Sequence, residues 1–141
     1  MGLIRNFLKK ISGNNKEEES KVQLLAQSAE IRSWINELRV KLGKAYAYDR
    51  KNKDIKWLIE RFVRIINYIE EAYYFIKADN FEDASKNLGY LEKQINMEKF
   101  DDKLDTLINL NVLNKNDKNK AMAIRTTAIY LIKVMPSFNV K

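Results

Sequence analysis

The sequence predicts an all-α fold, an up-down bundle of about four main helices preceded by a short amphipathic N-terminal helix. Apolar residues recur at helical spacing along most of the chain. Only four of the 141 residues are glycine and one is proline, so the chain has few helix-breaking positions. Hydrophobic residues make up 45% of the sequence, which is enough to build the core of one domain.

The first two long helices are predicted from two series of apolar residues. The first helix is expected to run from about Ser20 to Tyr48, with one face formed by Ile31, Ile35, Leu38, Leu42 and Ala45. The second series keeps its spacing without an error and consists of Ile55, Leu58, Phe62, Ile65, Ile69, Ala72 and Ile76. Asp54 is expected to be the N-cap or a first-turn acid of this helix, and Asp79 or Asn80 to cap the next.

The remaining helices are predicted from a third series and from an apolar C-terminal segment. The third series is Phe81, Ala84, Leu88, Leu91 and Ile95, and it resumes in a new phase at Phe100, Leu104 and Leu107. The change of phase predicts a bend or break between Asn96 and Lys99. The segment AMAIRTTAIYLIKVM has apolar residues on nearly every face and is therefore predicted to be the most buried helix, ending at Pro136.

The composition excludes most catalytic and metal sites. The chain has no cysteine and no histidine, so disulfides, Cys or His zinc sites, and Ser-His-Asp or Cys-His sites cannot form. No glycine-rich phosphate loop is present. We therefore expect no catalytic residue, no cofactor and no metal, and a protein that is not an enzyme. An acid-base site made only of carboxylates stays open as a remote alternative.

The N-terminal segment MGLIRNFLKKI has the pattern of a short interfacial helix. Its apolar stripe and flanking cations are predicted to contact a membrane or a partner: Leu3, Ile4, Arg5, Phe7, Leu8, Lys9, Lys10 and Ile11. The domain organisation that follows is an amphipathic helix at 1–12, a polar tether at 13–19, the bundle at 20–136 and a tail at 137–141. Docking of the first helix on the bundle or on a neighbouring subunit is the alternative.

Charge is distributed unevenly along the chain, whose net charge is +7. Residues 21–53 carry eight Lys or Arg and three acids, whereas residues 79–111 carry four lysines and eight acids. In an up-down path the first and third inter-helix links fall at the same end of the bundle. The cations expected to form one phosphate-binding end are Arg50, Lys51, Lys53, Lys115, Lys118 and Lys120. Charged loops that only keep the protein in solution are the alternative.

The positions of the aromatic residues indicate two different roles. Tyr46 and Tyr48 precede Arg50, a combination that suits stacking of single-stranded bases beside a cation. The other rings lie within predicted helices and are expected to pack in the core or between subunits: Trp34, Trp57, Tyr68, Tyr73 and Tyr74.

The order of elements resembles that of ESCRT-III-like membrane-remodelling proteins over about the first 80 residues. The shared features are an amphipathic opening helix, a basic first long helix and a helical hairpin. The C-terminal part departs from this layout because it is basic where those proteins usually turn acidic. The resemblance implies membrane binding and assembly, and it rests on no diagnostic motif.

Two functions are compatible with these features. The first is a non-enzymatic, self-associating scaffold that coats an anionic surface, as a small virion or filament subunit would. The second is a sequence-nonspecific nucleic-acid-binding protein that uses the basic end together with Arg32, Arg39, Lys41 and Lys44. No apolar run reaches the roughly 18 residues that a membrane-spanning helix needs, and Arg5 and Lys9 interrupt any secretory signal. The expected location is therefore intracellular, cytoplasmic or peripheral to a membrane, or within a virion.

Deletion of residues 1–12 is expected to leave the bundle folded and to impair assembly or surface attachment, because the predicted tether separates this segment from the core series. Circular dichroism measures folding, and sedimentation measures assembly. Loss of cooperative unfolding in the truncated protein would instead show that the first helix belongs to the core.

Overall fold

The structure is a computed structural model that describes the backbone of residues 16–135 and the side chains of residues 21–135. This part of the chain contains no strand and folds into five α-helices: α1 (Lys16–Tyr48), α2 (Lys53–Lys77), α3 (Phe81–Ile95), α4 (Glu98–Asn109) and α5 (Lys115–Val134). The all-α prediction is confirmed. The predicted helix at 1–12, with its membrane- or partner-binding residues, and the tail at 137–141 lie outside the described residues.

α2 lies against three other helices and carries the most regular part of the core. It packs against α1, α3 and α4. All seven residues of its predicted series are buried: Ile55, Leu58, Phe62, Ile65, Ile69, Ala72 and Ile76. Full burial of one Val, Leu, Ile or Phe side chain stabilises the folded state by about 1.5–3 kcal/mol. The helical spacing of this series therefore positions three neighbouring helices around one stripe.

The other predicted series also face the core. In α1, Ala45 is half-buried and the rest of its series is buried, together with Leu24. α1 begins at Lys16, earlier than the predicted start near Ser20. The predicted residues of α3 and α4 are all buried: Phe81, Ala84, Leu88, Leu91, Ile95, Phe100, Leu104 and Leu107.

Asparagine side chains begin three of the helices. Asn52 accepts hydrogen bonds from the backbone N–H groups of Asp54 and Ile55, so Asp54 is a first-turn acid and not the N-cap of α2. Asn80 caps α3, as predicted, and Asn114 caps α5. These side chains satisfy backbone donors that would otherwise lack partners at the first turn.

Two helices end in left-handed residues that are not glycine. Asp79, with φ of 60°, follows α2, and Asn111, with φ of 62°, follows α4. The backbone N–H of Asn80 donates to the carbonyl of Phe75 at 2.8 Å, and the N–H of Val112 donates to that of Leu107 at 2.9 Å. This is the Schellman pattern of helix termination, and it turns the chain sharply with few glycines.

The predicted break in the third helical segment is confirmed. α3 ends at Ile95, and α4 begins at Glu98 after an extended Met97, with φ of −130° and ψ of 138°. No side chain caps the start of α4. The break changes the direction of the apolar face, so that α4 packs against α2 beside α3.

The prediction that α5 is the most buried helix is wrong. Its buried apolar residues are Ala121, Ile124, Ala128 and Leu131, which are fewer than the seven in α2. α5 packs mainly against α1 and α3, and its outer side leaves Tyr130 50% exposed. An apolar residue on every face predicts burial only when neighbours are available on every side.

Phe62→Ala is expected to lower the free energy of unfolding by about 3–5 kcal/mol. The Phe62 side chain is 0% exposed, and its ring meets that of Phe100 edge-on at a centroid distance of 5.6 Å. Chemical denaturation measures the change. Val63→Ala, one residue along and 42% exposed, is the matched control and should change stability by less than about 1 kcal/mol. A Phe62→Ala effect as small as that of the control would place this face outside the core.

Candidate anion-binding surfaces

The two links that carry the predicted basic end are both joined to α4. Asp54, in the first turn of α2, accepts a hydrogen bond from Lys103 of α4. Lys118, in the first turns of α5, donates to Asp105 of α4 at 2.5 Å. Because residues 103 and 105 lie within one turn of the same helix, the starts of α2 and α5 lie near each other.

The six predicted cations divide into two groups. Lys118 and Lys120 are partly buried and pair with Asp105 and Glu37 at 2.5 and 2.6 Å. Hydrogen bonding to these carboxylates raises the pKa of both lysines. The other four are exposed and have no carboxylate within 4.0 Å in the described part of the chain: Arg50, Lys51, Lys53 and Lys115. These four are the ones that are free to bind an external anion.

Asp117 organises the start of α5. Its carboxylate accepts hydrogen bonds from the backbone of Asn114 at 2.9 Å and from Lys41 of α1 at 2.5 Å. The Asn114 side chain in turn accepts from the backbone N–H of Asp117, which completes a capping box. Asp117 is therefore a structural acid, although it lies among the cations of the basic end.

The outer face of α1 forms an open depression of about 670 Å³. Its lining residues are Ala29, Arg32, Ser33, Asn36, Glu37, Val40, Lys41 and Lys44. Three of the four α1 cations that the sequence assigned to nucleic-acid binding lie here, and Arg39 does not. Lys41 is paired with Asp117 and Glu37 with Lys120, whereas Lys44 is exposed and has no ion pair among the described residues.

The aromatic predictions are only partly matched by the structure. Tyr48 is 94% exposed beside Arg50, but Tyr46 packs against the core. Trp34, Trp57 and Tyr68 also pack against the core, as expected. Tyr74 is 76% exposed, so the described chain supplies no packing partner that covers it.

The described residues contain neither a metal-ligand cluster nor a membrane-spanning helix. Among them, no three acidic side chains are placed to hold a metal ion. No helix in this part of the chain is both long enough and apolar enough to cross a membrane.

The fold places the chain among all-α proteins. No family model matches the sequence, and no curated protein or solved structure is similar to it.

Asp117→Ala is expected to destabilise the fold by about 1–2 kcal/mol, because it removes the capping box and the partner of Lys41. Denaturant unfolding measures the loss. Asp105→Ala removes a more exposed carboxylate and is the matched control, with an expected change below about 1 kcal/mol. Equal effects of the two substitutions would show that the capping box does not hold the start of α5.

Proposed function

We propose that the protein is a non-enzymatic, self-associating helical scaffold that binds an anionic surface. The N-terminal amphipathic segment contacts a membrane or a neighbouring subunit, and the cations of the basic end contact phosphate groups. The expected partners are other copies of this chain or another helical protein, together with the anionic surface. The location is intracellular, cytoplasmic or peripheral to a membrane, or within a virion.

The architecture in this proposal is an up-down bundle in which α1, α2, the α3–α4 segment and α5 are the four main helices. Contacts between helix ends support this path. Lys21, near the start of α1, pairs with Asp79 after α2 at 2.7 Å, while Lys41, late in α1, pairs with Asp117 at the start of α5 at 2.5 Å. Both contacts suit antiparallel neighbours.

The observation that carries the proposal is the separation of paired from unpaired cations. Within the described residues, Lys118 and Lys120 have carboxylate partners on α4 and α1, whereas Arg50, Lys51, Lys53 and Lys115 have none. Exposed cations on neighbouring links add their fields and attract phosphates. Each cation near an anionic membrane contributes about 1 kcal/mol of binding free energy.

Self-association is needed because one chain offers only weak attachment. A short amphipathic segment gains several kcal/mol from partial burial of its apolar residues, and the ordering of the segment offsets much of this gain. Several linked copies convert weak contacts into stable attachment through effective concentration. Apolar side chains such as Val22 and Val40 on α1, 44% and 49% exposed, are available for contacts between subunits.

The second candidate is a sequence-nonspecific nucleic-acid-binding protein. The observation in its favour is the depression on α1, where Arg32 and Lys44 line one open face. Liposome flotation beside a gel-shift assay, each with and without residues 1–12, separates the two functions. The scaffold requires flotation that depends on residues 1–12, whereas the alternative requires a gel shift that survives their deletion.

Substitution of all six end cations by Gln is expected to weaken binding to DNA, RNA or anionic liposomes and to flatten its salt dependence, because fewer counterions are released. Nearly all of the change in affinity and in salt dependence should appear in the quadruple variant Arg50→Gln/Lys51→Gln/Lys53→Gln/Lys115→Gln. The double variant Lys118→Gln/Lys120→Gln is the control, because these lysines are already paired. Stability should change by only about 0.5 kcal/mol per exposed site.

The readout is the slope of log affinity against log salt for the native protein and the three variants. An unchanged slope in the six-residue variant, or no binding by the native protein at low salt, would exclude the basic end as a phosphate-binding site. Protein–protein assembly would then be the surviving function.

A further inference from the structure

A second group of cations surrounds Trp57, on the side of α2 that faces α3 and α4. The Cζ atom of Arg61 lies 4.6 Å from the centroid of the Trp57 ring, and the Nζ atom of Lys99 lies 5.2 Å from it. Arg61 also donates a hydrogen bond to the side-chain oxygen of Gln94 on α3. The Trp57 ring and the Gln94 amide therefore fix the orientation of the Arg61 guanidinium.

These cations lack acidic partners. Arg61, Arg64 and Lys99 have no carboxylate within 4.0 Å among the described residues, although Glu60 and Glu98 are their neighbours in sequence. Burial, followed by the charge of Arg64, lowers the pKa of the Arg61 guanidinium. Both effects disfavour the isolated charge, so an anion bound here would replace a missing partner.

Aromatic rings continue the same surface. The centroids of the Tyr68 and Tyr90 rings lie 5.6 Å apart across α2 and α3, and Tyr90 is 49% exposed. Tyr68 follows Arg64 by four residues and Tyr90 precedes Gln94 by four, a spacing of about one helical turn. Rings and guanidiniums therefore alternate along one side of the α2–α3 pair.

We propose that this Trp57 surface, formed by Trp57, Arg61, Arg64, Tyr68, Tyr90 and Lys99, binds single-stranded nucleic acid. The three cations hold phosphates, and the exposed side of Tyr90 stacks on a base. Single strands offer both groups, because their bases present free faces beside a continuous line of charge. The planar guanidiniums of two arginines suit phosphate oxygens better than point charges do.

The chemistry of the surrounding positions favours nucleic acid over a membrane. Three exposed positions of α2 beside this surface are polar: Glu60, Asn67 and Glu71. Interfacial binding needs apolar side chains that enter the lipid boundary, and these positions supply none. The surface shares no residue with the segment 1–12 or with the basic end, so it stands if the proposed scaffold function fails.

The test uses the full chain with Trp34→Phe, because the sequence has two tryptophans and this change leaves Trp57 as the single fluorophore. The probe is a labelled thymidine oligonucleotide of about 20 nucleotides, long enough for a single-strand site. Binding is measured by anisotropy at several salt concentrations and by Trp57 emission. We expect saturable binding that changes the Trp57 emission, since the contacting phosphates lie beside its ring.

Arg61→Gln/Arg64→Gln/Lys99→Gln should weaken binding at least about tenfold and reduce the salt slope by about 2, because three phosphate contacts on a single strand are lost. Lys21→Gln/Lys77→Gln/Lys133→Gln removes the same charge from α1, from the Tyr73 flank of α2 and from α5 and should have a much smaller effect. Arg64 is exposed and makes no ring contact among the described residues. Arg64→Gln alone should therefore reduce the slope by about 0.7 without unfolding the protein.

Tyr90→Leu separates stacking from charge. It should weaken binding about tenfold without changing the salt slope. The proposal is overturned by binding that leaves Trp57 emission unchanged, by equal losses in the two triple variants, or by native affinity in Tyr90→Leu. Absence of oligonucleotide binding overturns it as well, and binding only to vesicles that contain phosphatidylserine would then belong to the proposed scaffold function.

Discussion

The apolar stripe of α2 is the constraint on which the rest of the structure depends. It packs against α1, α3 and α4 at the same time. Seven buried residues form it, and only Ala72 among them is small. A stripe used by three neighbours allows little change of register, because any rotation of α2 would expose large side chains to water on one flank. α5 is held differently, by α1 and α3.

The acidic α3–α4 segment determines which cations remain available. Asp101 and Asp105 of α4 lie against Arg125 and Lys118 of α5, at 3.9 and 2.5 Å. Exposed pairs of this kind contribute little to stability. Their main consequence is chemical, because Arg125 and Lys118 are then not free to bind an external anion. Unpaired cations remain on the first link, at Lys44 and Lys115, and beside Trp57.

Most of the fold could be predicted from the sequence because burial follows periodicity. The series of α2 and α3 are buried residue by residue, and the change of phase near Asn96 marks the break before α4. The burial of α5 could not be predicted in the same way. Periodicity shows which faces are apolar, but the number of neighbouring helices depends on the packing of the whole chain. The Tyr130 side chain, for example, stays 50% exposed.

The candidate sites were less predictable, since pairing between distant side chains leaves no local pattern. Lys115 and Lys118 look alike in the segment NKNDKNK, yet only Lys118 meets a carboxylate, and that partner comes from another helix. The cluster around Trp57 has a partial signal: Trp57, Arg61, Arg64 and Tyr68 follow helical spacing. Lys99 and Tyr90 join them only through the packing of α3 and α4.

The position of α1 has a consequence for how the chain could engage an extended polyanion. Arg32 of α1 lies over the ring of Tyr73, 5.4 Å from its centroid, whereas Arg61 lies over Trp57 on the other flank of α2. The depression on α1 and the Trp57 surface therefore belong to different sides of the molecule. A short anion cannot occupy both, but a long polymer or a neighbouring copy can connect them, and such linked weak contacts strengthen each other through effective concentration. In the proposed function, anion binding and self-association would therefore be coupled.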